Sequence, residues 1–572
     1  MTDGYKNFTL SIYITAGDLI RMFEDRDDAD SSKENLADKQ FAFFEKHLNF
    51  TKVYIEMFRS MDTPLYIIKK AKEYFTNKGI AFATGIMPVT HNMEDGRSFC
   101  YSDPETEKKF DELFTTMANN FDEIMIDDFL ATKCTCPRCV AAKGDKSWTE
   151  YRTGLMVEFC KNHIIAPARK ARPDVKITLK YPTWHESYQY LGYDTEKQPH
   201  LFDHIYAGTE TRHTTYSLFR NPRYTSYSLL RYLRSLPPYN NRGAWFDNIQ
   251  CANDVGIYLE QAELTLLGGC DEMTLFCWGI SFDKEEIGAL GILLERLDKK
   301  ISVFGQPAGI PVYLPFHSTG EDHVYDFLGM CGIPLYPDAI FPKDTPVFLT
   351  AASAHDTQLS DKVKKHLQNG FDVFVTAGCL EKMGSLGFAD FTGMRVTSRS
   401  QTGTEFGGFD SGWSPDAAYR NSATPVTLPV IDVMLNECEL RAVQVRESMP
   451  NVLLAYSSYA KGRLFVLNVP DSFSDFYEIP SDIIGVIRKN LSDDLPIWFE
   501  GEAKISLFLY DNKSAAIRSF LPYGSVVMLH IKGDVDELDI NGAKTAPLYK
   551  KDKETVFRLA LNPNKLVIFT WQ

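Results

Sequence analysis

The chain has 572 residues, too many for one hydrophobic core, and its 44% hydrophobic and 24% charged residues describe a folded protein of about two to four domains. A net charge of −15 excludes the basic stripe that a nucleic-acid partner needs and favours a neutral substrate. The N-terminal residues lack a basic segment followed by a long apolar run, no stretch could span a bilayer, and 11 scattered cysteines suit a reducing compartment. The expectation is a cytoplasmic enzyme without a membrane partner.

Residues 1–302 alternate between short apolar runs and helical patterns. The expected strands are Phe8–Ile14, Lys52–Phe58, Ile80–Met87, Glu123–Phe129, Lys176–Tyr181, His204–Gly208, Gly243–Asp247 and Glu272–Trp278. Helices are expected over Pro64–Lys78, Thr106–Asn120 and Thr149–Arg172, the first with Thr63 as N-cap, Pro64 in its first turn and Gly79 past its end. Eight strands separated by helices predict a (β/α)8 TIM barrel. A second pattern over 303–497 predicts an open three-layer α/β domain. It has strands at Pro311–Leu314, Pro346–Leu349 and Phe371–Thr376, a turn at Ala377-Gly378, and a helix over Asp361–Gln368. A Gly-rich loop is expected over Gly403–Asp416, a strand pair over Val452–Val469 and a closing helix over Ser481–Leu491. From 498 to 572, short strands such as Ile505–Tyr510, Ser514–Phe520, Val526–Ile531 and Leu566–Trp571 predict a small β-sandwich.

Catalytic groups of a (β/α)8 barrel lie at the C-terminal ends of its strands. That rule selects Glu56 and Arg59, Asp127 and Asp128, Lys180 with Trp184, Glu210 with Arg212, Trp245 with Asp247, and Trp278. Carboxylates facing each other across a cleft are what glycosidic cleavage needs, one as proton donor and one as nucleophile or base. Strand alternation would let only one of Asp127 and Asp128 face the mouth. Asp247 could instead serve a turn, Glu56 could pair with Arg59, and Glu210 with Arg212. Trp184, Trp245 and Trp278 would be stacking surfaces or core. The thiols are sharper. Cys134, Cys136 and Cys139 form C-x-C-x2-C, and Cys100 on the preceding loop can complete a four-thiolate structural zinc site, with His91 a weaker ligand.

Three segments together resemble the glycoside hydrolase family 42 β-galactosidases. Arg97-Ser98-Phe99-Cys100 resembles that family's Arg-x-x-Cys. Asp128 followed by Cys134-Thr135-Cys136-Pro137-Arg138-Cys139 resembles its acid/base residue followed by the remaining zinc ligands. Leu275-Phe276-Cys277-Trp278 resembles its strand-eight Trp segment. The resemblance implies a barrel, an α/β oligomerisation domain like a glutamine amidotransferase, and a small β domain. It implies a homo-oligomer, dimer or trimer, with structural zinc, acting on a carbohydrate. Asp128 would be the general acid and Asp247 the nucleophile or base, with Glu210 in reserve. Glu56, Arg97, Asp127, Lys180 and Arg212 would bind the sugar. The family has Asn-Glu where this chain has Asp127-Asp128, and a strand-seven Glu where it has Asp247. Each shorter carboxyl widens the gap from roughly 5–5.5 Å towards roughly 6.5–9.5 Å, which predicts inversion. The expected activity is exo-acting hydrolysis of a short oligosaccharide or glycoside. The alternatives are a non-catalytic sugar-binding or assembly protein and a zinc-dependent hydrolase.

Overall fold

A computed structural model describes residues 4–24, 35–90, 98–251, 253–409, 419–434, 436–551 and 553–572. The chain divides into two compact units, Met1–Ser302 and Val303–Gln572. The first unit is a closed barrel of eight parallel strands in sequence order, with β8 pairing back to β1. The strands are β1 (Thr9–Ile14), β2 (Lys52–Arg59), β3 (Ala81–Met87), β4 (Glu123–Ile126), β5 (Lys176–Tyr181), β6 (His204–Gly208), β7 (Asn241–Asp247) and β8 (Glu272–Phe276). Their β-branched and aromatic residues are buried on both faces, as closure under a ring of helices requires.

The barrel interior is unusually aromatic. Tyr13, Tyr54, Tyr206 and Trp245 pack together with Ala83 and Met125. Small residues on other strands leave room: a Cβ on Gly85 would lie 2.3 Å from the Tyr13 hydroxyl, and one on Gly243 would lie 2.0 Å from the Glu272 carbonyl oxygen and 2.8 Å from the Tyr206 ring. At the N-terminal end, which we call the floor, Lys52 Nζ contacts Glu123 at 2.8 Å and Glu272 at 3.1 Å, and Arg242 Nε lies 3.1 Å from Glu272. Burial pushes Glu272 up, but Lys52 and Arg242 outweigh it and hold the carboxyl below its ordinary range.

Three local expectations change. β4 stops at Ile126 rather than Phe129, so Asp127 and Asp128 lie beyond the strand and its alternation does not govern them. The 149–172 helix is three pieces, Trp148–Phe159, a π-turn over Cys160–Ile165, and Ala166–Ala171. Pro167 removes an amide donor there, and the backbone adjusts around it. Pro64, not Thr63, stands at the N-cap of the helix Leu65–Asn77, and the Thr63 hydroxyl instead donates to the Glu56 carbonyl.

The second unit holds a nine-stranded mixed sheet. Leu335–Asp338, Ile310–Tyr313, Val347–Leu349, Val373–Thr376 and Gly462–Leu467 run parallel in that order, and antiparallel strands continue the sheet to Tyr419–Asp432. Alternate residues feed apolar layers on its two faces: Val312 and Phe348 on one, Tyr313, Val347 and Leu349 on the other. Ala377-Gly378 begins a helix, Ala377–Met383, rather than a turn. Residues 403–408 belong to the strand Arg395–Gly408 rather than to a loop, and 410–416 lie outside the described residues. Two antiparallel sheets of four and six strands complete the unit. The fully buried Arg488 ties them to the mixed-sheet layer by donating to the carbonyls of Cys331, Gly501 and Glu502.

Candidate active site

Among the described residues, the C-terminal ends of β2, β4, β5, β6 and β7 gather Glu56, Asp127, Asp128, Glu210 and Asp247 with Arg59, Lys180 and Arg212. Asp127 N still donates to the Ile86 carbonyl, so the chain leaves the β3–β4 ladder only after this residue. Asp128 N then donates to Asp127 Oδ1 at 2.8 Å. Phe129 follows at φ +75°, a left-handed conformation costly for an aromatic residue, and turns the chain across the mouth. Both carboxylates thereby reach Lys180 at the end of β5. Lys180 Nζ lies 3.2 Å from Asp127 Oδ1, 3.0 Å from Asp128 Oδ2 and 2.7 Å from Glu210 Oε1. It also sits 4.1 Å above the Trp245 ring.

Glu56 and Arg59 form a second cluster. Arg59 Nε bridges the two Glu56 oxygens at 3.0 and 2.9 Å, while the Tyr13 hydroxyl and Ala16 N donate to them at 2.8 and 2.7 Å. The far Arg59 nitrogen, Nη2, is 3.6 Å from Asp127 Oδ2. In a third, Arg212 Nε and Nη2 grip both Asp247 oxygens at 3.1 and 2.6 Å, and Ile249 N donates to Oδ1 at 3.0 Å. Arg212 itself stands at φ +57°, with its amide donating to Gln261. The pairings therefore differ from one sequence alternative: Arg212 takes Asp247, and Glu210 takes Lys180.

Burial sets the electrostatics. It raises Glu56, Glu210 and Asp247 above the ordinary carboxylate range, against the lowering effect of Arg59, Lys180 and Arg212 respectively. Burial pushes Asp127 up to about 7, with Lys180 opposing and the Asp128 charge adding to the rise. Lys180 is held above its ordinary value: burial works against its charge, but Asp128, Glu210 and Asp127 outweigh it. Asp128 is the most open carboxylate of the Lys180 and Arg212 clusters, its side chain 16% exposed against at most 4% for Asp127, Glu210 and Asp247. Glu210 Oε2 is buried and accepts no hydrogen bond. A Cβ on Gly208 would lie 2.5 Å from it, so the glycine gives that oxygen its place.

The tryptophans separate. Trp184 is half-buried on the rim between Phe129 and Phe219, its ring parallel to that of Phe219 with centroids 6.0 Å apart. Trp245 is buried inside the barrel against Tyr13 and Phe276. Trp278 offers no stacking face. β8 ends two residues earlier, and Trp278 is fully buried against Phe44, Phe50 and Phe75 with its indole donating to Gln40. Arg97 and His91 lie outside the described residues. Tyr13 and Phe276, which sequence reasoning did not select, close the inner wall. Tyr13 could have been found as a hydroxyl-bearing residue next to the last position of β1.

Cys100, Cys134, Cys136 and Cys139 come together with all four sulfurs within 4.8 Å of one another. Cys100 Sγ lies 3.8 Å from Cys136 Sγ and 3.6 Å from Cys139 Sγ. A tetrahedral zinc with bonds of roughly 2.3 Å sets its sulfurs about 3.8 Å apart, so the cluster fits that ion. The four thiols would occupy every position of such a metal, giving it a fastening role between the loops after β3 and β4. Asp128 lies on the second of these loops.

Three family models match the chain in succession: "Probable glycosyl hydrolase, catalytic domain" over residues 1–286, "Uncharacterized protein SSO3021, second domain" over 305–472, and "Probable glycosyl hydrolase, C-terminal domain" over 496–570. The uncharacterized protein SSO3021 of Saccharolobus solfataricus is 25% identical over 547 residues, covering 86% of this chain and 87% of its own. The fold is shared with solved β-galactosidases. That of Bacillus circulans sp. alkalophilus aligns with a TM-score of 0.64 at 11% identity over 99% of each chain. That of Rahnella sp. R3 aligns with a TM-score of 0.65 at 11% identity over 100% of this chain and 99% of its own. A family 42 β-galactosidase from G. stearothermophilus, Gan42B, aligns comparably, at a TM-score of 0.62.

Proposed function

Because the chain belongs to the probable glycosyl hydrolase family, whose catalytic-domain model spans its barrel, and is a glycoside hydrolase, we propose that it acts from the end of a short oligosaccharide or glycoside, with Asp128 as general acid. One observation carries this reading. A single buried ammonium, Lys180, holds the two adjacent carboxylates that follow β4 and the carboxylate of Glu210 at the barrel mouth. Asp128 is the most open of these three carboxylates, which lets a leaving group reach it, and a general acid must lie within hydrogen-bond reach of the oxygen it protonates.

The excess of carboxylates over cations bears on the sugar. Glu56, Asp127, Asp128, Glu210 and Asp247 outnumber Arg59, Lys180 and Arg212 among the described residues. An anionic sugar would add to that excess, so neutral or amino sugars fit and uronic acids do not. A screen of 4-nitrophenyl glycosides over several sugars and both anomers tests the reading. Turnover of at least one neutral or amino-sugar substrate is expected, with none of the glucuronide. Asp128→Asn should cost about 10²–10⁴-fold in kcat. A variant as active as the parent would remove Asp128 from the mechanism.

The same reading includes a structural zinc on the four thiols, supported by their spacing, and a cytoplasmic homo-oligomer. The zinc-to-chain ratio and sedimentation of the full chain test these two points.

A further inference from the structure

The two walls of the mouth are unequal. On one side, Asp127 and Asp128 stand next to each other on the same ammonium. Asp127 Oδ1 is taken by Lys180 and by Asp128 N, but Oδ2 has as its nearest cation Arg59 Nη2 at 3.6 Å, beyond hydrogen-bond distance. That oxygen can take a further donor. On the other side, the carboxylates are occupied. Both oxygens of Asp247 lie in the Arg212 fork, and one also takes Ile249 N. Glu210 spends Oε1 on Lys180, and its Oε2, which accepts no hydrogen bond, is buried in the space a Gly208 Cβ would take. A carboxylate nucleophile must present a lone pair about 3–3.5 Å from the anomeric carbon, on the face opposite the departing oxygen. Asp247 is buried in the Arg212 fork and Glu210 Oε2 is buried, so neither offers an exposed oxygen to the mouth, and a carboxylate beside the acid attacks from the wrong face.

We propose that the nucleophile is the substrate's own 2-acetamido oxygen, that Asp127 holds the acetamido N–H, and that the substrates are 1,2-trans 2-acetamido-2-deoxyglycosides. The proposal rests on the glycosidase reading above and names its sugar. In a 1,2-trans glycoside the acetamido carbonyl lies on the face opposite the leaving group, already joined to the reacting ring. In the first step Asp128 gives its proton to the glycosidic oxygen. The C1–O bond breaks with its electron pair going to that oxygen, and the acetamido oxygen bonds to C1. The product is an oxazolinium ion whose N–H is held by the Asp127 carboxylate, with the positive charge beside it. In the second step water attacks C1, Asp128 takes the water's proton, and the C1–oxazolinium oxygen bond breaks to restore the acetamide. The sugar leaves with its configuration retained, whereas the shorter carboxyls considered alone predict inversion.

Burial and the Asp128 charge push Asp127 up to about 7, against Lys180. An amide N–H donated to Asp127 favours its anion. Lys180 is the positioning residue that keeps both carboxylates at the mouth. The acetamido group is neutral and adds nothing to the local excess of negative charge.

The test compares the 4-nitrophenyl β-glycosides of N-acetylglucosamine and N-acetylgalactosamine with those of glucose and galactose, using the parent protein. A preference of at least about 100-fold for the acetamido sugars, with the retained anomer seen by NMR, is expected. Replacing acetyl by mono-, di- and trifluoroacetyl should lower kcat progressively, by about 100-fold over the series, because the carbonyl oxygen loses nucleophilicity. Asp127→Asn should lower kcat by about 100-fold on the same substrate. Comparable turnover of the plain hexosides, or indifference to fluorination, overturns this inference and leaves the glycosidase reading standing. No turnover of any glycoside, here or in the wider screen, overturns both. The fluorination series needs no variant, so a misfolded Asp127→Asn cannot obscure the result.

Discussion

The floor and the mouth of the barrel are both buried ionic clusters, yet they are built to opposite ends. The floor matches its charges, with Lys52 and Arg242 against Glu123 and Glu272, and lowers the Glu272 carboxyl. The mouth sets three cations against five carboxylates and raises those of Glu56, Asp127, Glu210 and Asp247. Desolvation acts on both. What differs is whether enough opposite charge surrounds each carboxyl to outweigh it. A balanced cluster ties strand ends together. An unbalanced one leaves its buried carboxyls raised above the ordinary range, a perturbation that clusters at functional sites.

The contrast can be broken at several points. The largest effect is expected at the mouth: Asp128→Asn should lower kcat/KM by up to about 10⁴-fold while the melting temperature holds, measured by aryl-glycoside kinetics and calorimetry. At the floor, Glu272→Gln removes one partner of a buried cluster. It should destabilise the barrel by about 3–5 kcal/mol, read from denaturant unfolding, with kcat of the folded fraction unchanged. Loss of activity without loss of stability there would erase the distinction between the two ends.

Two smaller effects sharpen it. Asp127 is raised in the folded state, so its contribution to stability is present below its unfolded value of about 3.9 and is lost as pH rises through about 7. Asp127→Asn should therefore be more stable than the parent at pH 8, by about 1–3 kcal/mol, with the difference fading towards pH 5. Glu272 runs the other way. Its depressed value contributes stability above the unfolded value, and that contribution is lost as pH falls through the folded one. The smallest effect is at the thiols. Cys136→Ser, or removal of metal by a chelator, should lower the zinc-to-chain ratio and the melting temperature, and should reduce activity only as far as the loop bearing Asp128 loosens.

Much of the barrel was legible because its strands are short apolar runs between helical patterns. Lys176–Tyr181 and His204–Gly208 were located to the residue. The thiol cluster was legible from spacing alone. Trp278 was misplaced because a Trp at a strand end and a Trp opening the following helix look alike in sequence. The floor cluster was not read at all, although Lys52, Glu123 and Glu272 each open a strand and a charge in that position of a buried strand is a usable signal. The antiparallel strand Arg395–Gly408 escaped because its Ser, Thr and Gly residues are largely exposed and carry no apolar alternation. At the mouth, sequence supplied the charged residues and, among its alternatives, the Glu56–Arg59 pair, but not the partners of Lys180 and Arg212. Phe129 and Arg212 in left-handed conformations decide which carboxylate meets which cation, and nothing local requires those conformations.

The aromatic interior has a consequence for descent. Tyr13 fits only because Gly85 has no side chain. Gly85 cannot be exchanged first without a collision, whereas Tyr13 can shrink first at the cost of a cavity. The route away from this interior therefore runs in one order, ring before glycine. Among relatives, a larger residue in place of Gly85 should be accompanied by a smaller one in place of Tyr13, while lineages keeping the glycine are free to keep or lose the ring.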